Sequence, residues 1–376
     1  MLSYWEQQSF LTYNHIVVGA GIVGLSTAIE LKEKFPKSSV LVLERGLLPT
    51  GASSRNAGFA CMGSLTELLD DTKYNTEDEI LELYEWRKKG LEKLRKRLGD
   101  NKIGYETNGS YELIHEDELS ALDSIEYFNR LLLPITKQPA FALANDKIQK
   151  FGFSKAYCKA LIENTCEGEL HTGKMLRALV DYAISKGIEI KTGAEVCRFE
   201  EEVDGVVVHI ADPMRDEMLT FKCDNLCVCT NAFTGTLLPN EDVIPGRGQV
   251  LITNPIEGLK FKGIYHFDKG YYYFREIDGR VLFGGGRNLD FEGENTTEIA
   301  LNEMIQKDLD EKLRTVILPD TKFEIAQRWS GIMAFGNTKK PIVKKFSGRV
   351  YGAFRMGGMG VALGSDAAHE LVKLIE

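Results

Sequence analysis

From His15 onward the chain alternates short apolar runs with helical stripes. His15–Val18 is an apolar strand, Gly19–Gly24 a turn, and Leu25–Phe35 a helix with Ala28, Ile29 and Leu31 among its apolar positions. Pro36 lies just beyond that helix, where it cannot continue it. Ser39–Leu43 is a second β-branched, apolar strand ending at Glu44. Strand, helix and strand in that order form a βαβ unit, which requires a parallel sheet.

The pattern recurs later. Met175, Leu176, Leu179, Val180, Ala183 and Ile184 make a helical stripe, Gly187 ends it, and Ile188–Ile190 opens a strand. Gly205–Ile210 and Leu219–Thr230 follow as strands. Between the two units, Tyr105–Leu113 alternates like a strand, and the stretch to about Glu169 reads as mostly helical. Trp86–Arg97 is charged and helical, as a solvated face would be. After Pro239 the strands are short and antiparallel: Gly248–Thr253, Gly270–Arg275 and Arg280–Gly285, with a hairpin turn predicted at Asp278-Gly279. The chain then returns to strand (Arg349–Phe354), Gly-rich turn (Arg355–Gly360) and helix (Val361–Ile375). A nucleotide-binding domain is therefore expected in three pieces, 1–100, 160–238 and 326–376. An antiparallel substrate domain, 101–159 and 239–325, is inserted between them.

Composition narrows the class. With 376 residues, 43% hydrophobic and 27% charged, the chain is a soluble globular type and long enough for two domains. No apolar run reaches the ~18 residues of a membrane span. Met1–Asn14 carries no basic stretch followed by an apolar run, so no signal peptide is expected and the location is expected to be cytoplasmic. A net charge of −9 disfavours nucleic acid as a partner. The seven cysteines are scattered, with Cys223, Cys227 and Cys229 in one strand, and they read as reduced, buried thiols. The six histidines form no metal-binding spacing, and no metal is expected.

Gly19, Gly21 and Gly24 form GxGxxG between a strand and a helix, with Glu44 at the end of the next strand. The first glycine permits the tight turn, the second lets backbone approach a pyrophosphate, and the third lets helix and strand pack closely. The helix N-terminus directs amides at phosphate, and Glu44 accepts from ribose hydroxyls. The segment Thr50–Phe59 contains Gly51, Ala52, Ser53, Ser54, Arg55, Asn56, Ala57 and Gly58. A nicotinamide domain usually proceeds there to another helix and strand, whereas small residues and hydroxyls suit a larger cofactor. A second Gly-rich turn, Arg355–Gly364, precedes the last helix and offers amides at its positive end.

These segments, with "VCTNAFT" (228–234), "PGRGQV" (245–250), "YYYFREIDGRVLFGGG" (271–286) and the closing "GGMGVAL", together resemble the D-amino-acid oxidase superfamily. The nearest branch is that of glycine oxidase, sarcosine oxidase and γ-glutamylputrescine oxidoreductase, and Ser3-Tyr4-Trp5 also resembles the last. The resemblance covers nearly the whole chain, in family order. It implies an α/β chain (α+β overall) with a discontinuous Rossmann-like FAD-binding domain of glutathione-reductase type. It implies FAD, a small amine or amino-acid substrate, and O2 or another electron acceptor. Gly19, Ala20, Gly21, Ile22, Val23, Gly24, Glu44 and Arg45 would hold the ADP half, Val196 the adenine side, and Thr230, Asn231 and Ala232 a turn beside the cofactor. Ser53–Gly58 and Gly357, Gly358, Met359, Gly360, Val361, Ala362 and Leu363 would surround the isoalloxazine.

Two departures shape the expectation. Arg328–Gly336 has no Cys, and Arg55-Asn56 stand where a histidyl-flavin enzyme has His, so the FAD is expected to be non-covalent. The carboxylate-gripping Arg that glycine oxidase-like enzymes carry after the Trp is absent from Ile332-Met333-Ala334. Arg355 is the expected replacement, ahead of Arg247, Arg275 and Arg287. Tyr272 is the expected substrate-site tyrosine, with Tyr271 and Tyr273 facing the other way. The alternatives are an NAD-dependent dehydrogenase, an RNA-modifying flavoenzyme and a non-catalytic flavoprotein subunit.

Overall fold

The computed structural model describes residues 2–211 and 218–376. Among these, strands form two eight-stranded sheets and a two-stranded ribbon. The first sheet runs Ile342–Lys345, Val350–Phe354, Met218–Val228, Thr12–Val18, Val40–Glu44, Glu189–Thr192. From Val350–Phe354 to Glu189–Thr192 every pairing is parallel, as the two α-to-β units require. One face packs on four helices, Ile22–Lys34, Glu77–Leu98, Thr172–Ser185 and Gly360–Lys373. The other is covered by the antiparallel strands Val196–Glu201 and Val206–Ala211.

Close helix packing rests on small residues. A Cβ on Gly90 would lie 2.1 Å from the Ala362 carbonyl oxygen, and one on Gly364 2.7 Å from Ile22. Helix Glu77–Leu98 starts in a Thr76/Glu79 capping box and carries acidic residues in its first turn and basic ones in its last. It is not simply a solvated face: Arg87, Gly90, Leu91, Leu94 and Leu98 are buried.

The second sheet runs Ile325–Phe335, Ile244–Thr253, Arg280–Gly285, Tyr272–Ile277, Ile264–Phe267, Ser110–Ile114, Ala160–Asn164, Phe141–Leu143. The turn at Asp278-Gly279 forms as expected, with φ +52° and +72°. The helical reading of 114–169 holds only in part, since Ala160–Asn164 is a strand of this sheet and Phe141–Leu143 its edge strand. The strand expected at Tyr105–Leu113 begins at Ser110 and is buried on both faces rather than alternating. Sheet membership also moves two boundaries. Ala160–Asn164 and the long strand Ile325–Phe335 join the second sheet, whereas boundaries at 160 and 326 assign them to the first. Behind this sheet lies an aromatic core that includes Tyr265, Phe267, Tyr272, Phe274 and Phe283.

No helix among the described residues is long and apolar enough to cross a membrane.

Candidate active site

The site begins at the Gly-rich turn after Thr12–Val18. Gly19 has φ +103°, and a Cβ there would lie 2.8 Å from the Cys229 carbonyl oxygen. A Cβ on Gly24 would lie 1.8 Å from the Gly19 carbonyl oxygen, so only glycine lets the helix start here. Helix Ile22–Lys34 starts within the turn, and its first amide, that of Ile22, donates to Ser53 Oγ at 2.9 Å. Ser53 thus sits where an anion at this helix end would be flanked. Glu44 accepts from the Ala20 amide at 2.9 Å and from the Gly46 amide at 3.0 Å. Its carboxylate is fixed at the turn with lone pairs to spare. The Ala194 and Gly193 amides donate to the Glu44 and Gly46 carbonyls, which brings Val196 alongside. The Arg45 guanidinium stacks 3.7 Å over the Phe233 ring.

Residues 51–58 form a short helix, Ala52–Arg55, and a tie to the rest of the site. The Asn56 amide nitrogen donates to Ala52 and Ser53, while its oxygen accepts from the Gly58 amide and pairs with Thr172. Ser54 Oγ donates to the Gly51 carbonyl. Those two side chains hold the loop's shape. Ala57 is buried against the second sheet.

The tail turn is pinned by Asn231. Its Oδ1 accepts from the amides of Arg355 (3.1 Å) and Met356 (3.2 Å). Asn231 and Arg355 both have positive φ, +47° and +62°. Non-glycine residues held in that region mark a position that the surroundings over-determine. Thr230 pairs with Thr234 through their hydroxyls, and Ala232 is buried beside Ile332 and Ala334. The Gly357 amide donates to the Ala334 carbonyl, joining the tail to the second sheet. Gly357 has φ +56°, and no atom lies within 4 Å of a Cβ built on Gly357 or Gly358. Helix Gly360–Lys373 opens there with Met359 as its N-cap. Val361, Ala362 and Leu363 are buried and anchor that helix.

Arg355 is engaged within the protein rather than held open for a substrate carboxylate. Its guanidinium donates to the Asp242 carboxylate and carbonyl, the Lys340 carbonyl and the Thr338 hydroxyl, so its donors are spent on the loop before the tail. Tyr272 is also misplaced by the expectation. It points into the aromatic core behind the second sheet, where its hydroxyl donates to Asp308 at 2.8 Å. The alternation was right and its phase was wrong. Tyr273 faces the segment 55–59, edge-on to Phe59 with ring centroids 5.6 Å apart.

Strand pairing aligns one row across that face: Glu112, His266, Tyr273, Gly284, Val250, Trp329. Trp329 Nε1 donates to the Arg55 carbonyl at 3.0 Å. Beside Val250 and Trp329 the face is floored by Gly246, Gly248 and Gly331, with Met333 between. Glycines inside strands mark close approach by a ligand or another backbone. The two strand glycines of "PGRGQV", Gly246 and Gly248, are the sequence signal that finds this floor.

Titratable groups here are tuned by burial. Desolvation raises Tyr273 to about 12, lowers His266 to about 4, and raises Glu112 and Glu167 each to about 7. Glu167 accepts from the Met62 and Gly63 amides and from Ser110 Oγ, and Glu112 from the Thr66 amide and hydroxyl. Tyr273 and His266 are both neutral at pH 7. The seven cysteines are free, five of them buried, and no metal-binding cluster exists among the described residues.

A glycine turn and helix end for a dinucleotide, a second helix end, and a glycine-floored sheet between them make the construction of a dinucleotide-dependent redox protein. The chain belongs to the FAD dependent oxidoreductase family, DAO, whose model matches residues 14–374. It is similar to the probable oxidoreductase OrdL of Haemophilus influenzae, 23% identical over 92% of this chain and 79% of that one. It is 24% identical to the mitochondrial L-2-hydroxyglutarate dehydrogenase of Nematostella vectensis over 85% of this chain and 72% of that one. Among solved structures, glycine oxidase from Geobacillus kaustophilus superposes with a TM-score of 0.77 at 18% identity, covering 97% and 94% of the two chains. The cofactor is FAD. The residues fit it: a Cβ on Gly21 would press Ser53 Oγ at 2.8 Å, whereas Gly51, Gly357 and Gly358 face open space.

Proposed function

We propose that the protein oxidises the C–N bond of a small amine or amino acid. The observation that carries this reading is the glycine floor of the second sheet facing residues 55–59 and joined to the tail turn at Ala334–Gly357. Similarity to a glycine oxidase supports the substrate class. Gly19–Gly24, Glu44 and Ser53 would hold the ADP half of FAD, and residues 51–58 with Gly357–Gly360 its ring. When bound, FAD supplies the hydride acceptor for oxidation of the amine to an imine, and passes the electrons to O2 or another acceptor.

The chain's own part is positioning. Tyr273 stays protonated at neutral pH and offers a hydrogen bond rather than a base. Water hydrolyses the released imine to a carbonyl compound and ammonia or an amine. With His266 neutral, the substrate nitrogen enters deprotonated. The expected pH profile of kcat/KM therefore rises through the substrate amine's own pKa. A profile that instead rises with a pKa common to all substrates would require a protein base.

The direct test is a visible spectrum of the purified protein, repeated anaerobically with glycine, sarcosine, D- and L-amino acids and γ-glutamylputrescine. Flavin peaks that bleach with an amine support the reading. The 2-hydroxyglutarate dehydrogenase relative favours a second reading, oxidation of a 2-hydroxy acid. Bleaching by 2-hydroxyglutarate but by no amine would replace the first reading with it, and a yellow protein that nothing bleaches would leave a non-catalytic flavoprotein. Acid precipitation should release the yellow colour, as expected of non-covalent FAD.

A further inference from the structure

The tail turn and helix Leu65–Asp71 flank the glycine-floored face, and a bridge of side chains joins them. Strand Ile325–Phe335 leaves the floor at Phe335, whose ring would meet a Cβ on Gly246 at 2.5 Å, and runs into the loop 336–340. On one side this loop is tied to the tail turn. Arg355 donates to the Thr338 hydroxyl at 3.0 Å and to the Lys340 carbonyl at 2.7 Å, and the Asn337 amide donates to Asp242 at 2.9 Å. On the other side two ammonium groups reach across. Lys339 Nζ lies 2.6 Å from Asp71 and 3.1 Å from Glu67, both on helix Leu65–Asp71. Lys340 Nζ lies 2.6 Å from Glu82 on helix Glu77–Leu98. A Cβ on Gly270 would lie 3.8 Å from Glu67, which sets this contact at the end of the face from which strand Tyr272–Ile277 starts.

The two ends of the bridge differ in rigidity. Helix Leu65–Asp71 is a fixed post. Glu112 of the second sheet accepts from the Thr66 amide and hydroxyl, and Glu167 from the Met62 and Gly63 amides just before the helix. Burial would raise the Glu67 carboxyl, but Lys339 and Arg87 hold it down to about 2, so the post stays charged. The loop has no such support. Among the described residues, no amide from 337 to 340 donates to a backbone carbonyl, and Asn337, Thr338 and Lys339 are exposed. Each tie named above runs through a side chain, and those to the post are ion pairs. Exposed pairs are individually weak and are screened by salt, which suits a contact that has to break.

We propose that Lys339 and Lys340 form an ionic latch that holds residues 336–340 across the mouth of the glycine-floored face, and that substrate and product pass when it opens. The loop swings about its two strand ends, Phe335 and Ile342, while the post stays in place. This rests on the location of the site described above, and not on which compound is oxidised.

The test uses the FAD-loaded protein and two readouts that need no turnover. Trypsin reports the loop: an open latch exposes the bond after Lys339, while the bond after Lys340 precedes Pro341 and resists. Cleavage after Lys339 is followed by mass spectrometry and normalised to trypsin's activity on a small peptide. It should rise about 2- to 5-fold in Asp71→Asn and in Glu82→Gln, the range for loss of an exposed ion pair. It should rise likewise in the wild type between low salt and about 0.5 M NaCl. Access is read as the rate at which a neutral, bulky quinone, duroquinone, takes two electrons from the photoreduced flavin and leaves as the hydroquinone. That rate should rise by a similar factor. Should Asp71→Asn fail to fold, Glu82→Gln, at an exposed side chain, and the salt series decide. Cleavage indifferent to salt and to both substitutions overturns the proposal. Faster cleavage with unchanged quinone access also overturns it, because the loop would then move without covering the mouth. A yellow protein that no amine bleaches fails the functional reading alone, whereas one that takes up no FAD sinks both.

Discussion

Gly24 shows how little tolerance the site has at the scale of one residue. A single methyl there would have to displace the Gly19 carbonyl, which itself shapes the turn at the phosphate-binding helix end. Gly24→Ala is expected to cost at least 1–3 kcal/mol, roughly the range for overpacking, and to purify with little FAD. Chemical denaturation and the flavin-to-protein absorbance ratio check both. Glu167 offers a different test. Burial raises its carboxyl to about 7 against an ordinary 4.5, so the folded state keeps a proton that the unfolded chain releases. That contribution to stability is complete below about pH 4.5 and is lost as pH rises through 7. Buried His266, lowered to about 4, works in the opposite sense: its contribution is present above about pH 6.5 and fades as pH falls toward 4. Glu167→Gln keeps an acceptor for the Met62 and Gly63 amides and a donor for Ser110. Relative to wild type it should therefore gain stability between pH 5 and pH 8, by up to about 3 kcal/mol. Parallel stability curves for the two proteins would show that the carboxyl is charged throughout. Single residues were the least legible part of the sequence. Tyr272 and Tyr273 are chemically identical, and only the covering of one sheet face by Ala57 and Phe59 tells them apart.

At the scale of elements, the chain joins its pieces through a few polar ties. Asn231 holds the amides of Arg355 and Met356 while sitting at φ +47°. Asn231→Gly keeps the backbone comfortable but orphans two amides, and is expected to cost about 1–3 kcal/mol. Asn231→Ala should cost about 1 kcal/mol more, because alanine resists the left-handed region. Urea denaturation of the pair separates the two effects, and equal losses would mean that backbone strain plays no part. The βαβ units were legible because strand, glycine turn and helix each carry their own local signal. The short strands Phe141–Leu143 and Ala160–Asn164 were not, since short apolar runs fit a buried helix as well as a strand. The 11-residue strand Ile325–Phe335 was hidden for another reason. Its glycine and polar positions make sense only once Ile244–Thr253 lies beside it. The nucleotide half of the candidate site could thus be read locally, whereas the substrate half depends on long-range pairing.

For the whole molecule, the segments proposed to cradle FAD come from every part of the chain. Binding to the folded state alone should raise stability by about 2.7 kcal/mol at a hundredfold excess over Kd. The melting temperature is then expected to climb with added FAD. A melting temperature indifferent to FAD would mean that the folded chain does not bind it. The strand order has a further bearing on how such a protein is made. Thr12–Val18, the first strand of the central sheet, pairs with Met218–Val228, and that strand in turn pairs with Val350–Phe354. Helix Gly360–Lys373 then fills the groove between helices Ile22–Lys34 and Glu77–Leu98. A ribosome adding about 5–20 residues per second delivers these partners roughly 15–60 s apart, with the N-terminal strand and its helix waiting for more than three hundred residues of synthesis. Over that interval the apolar faces that these late elements cover stay exposed on the nascent chain.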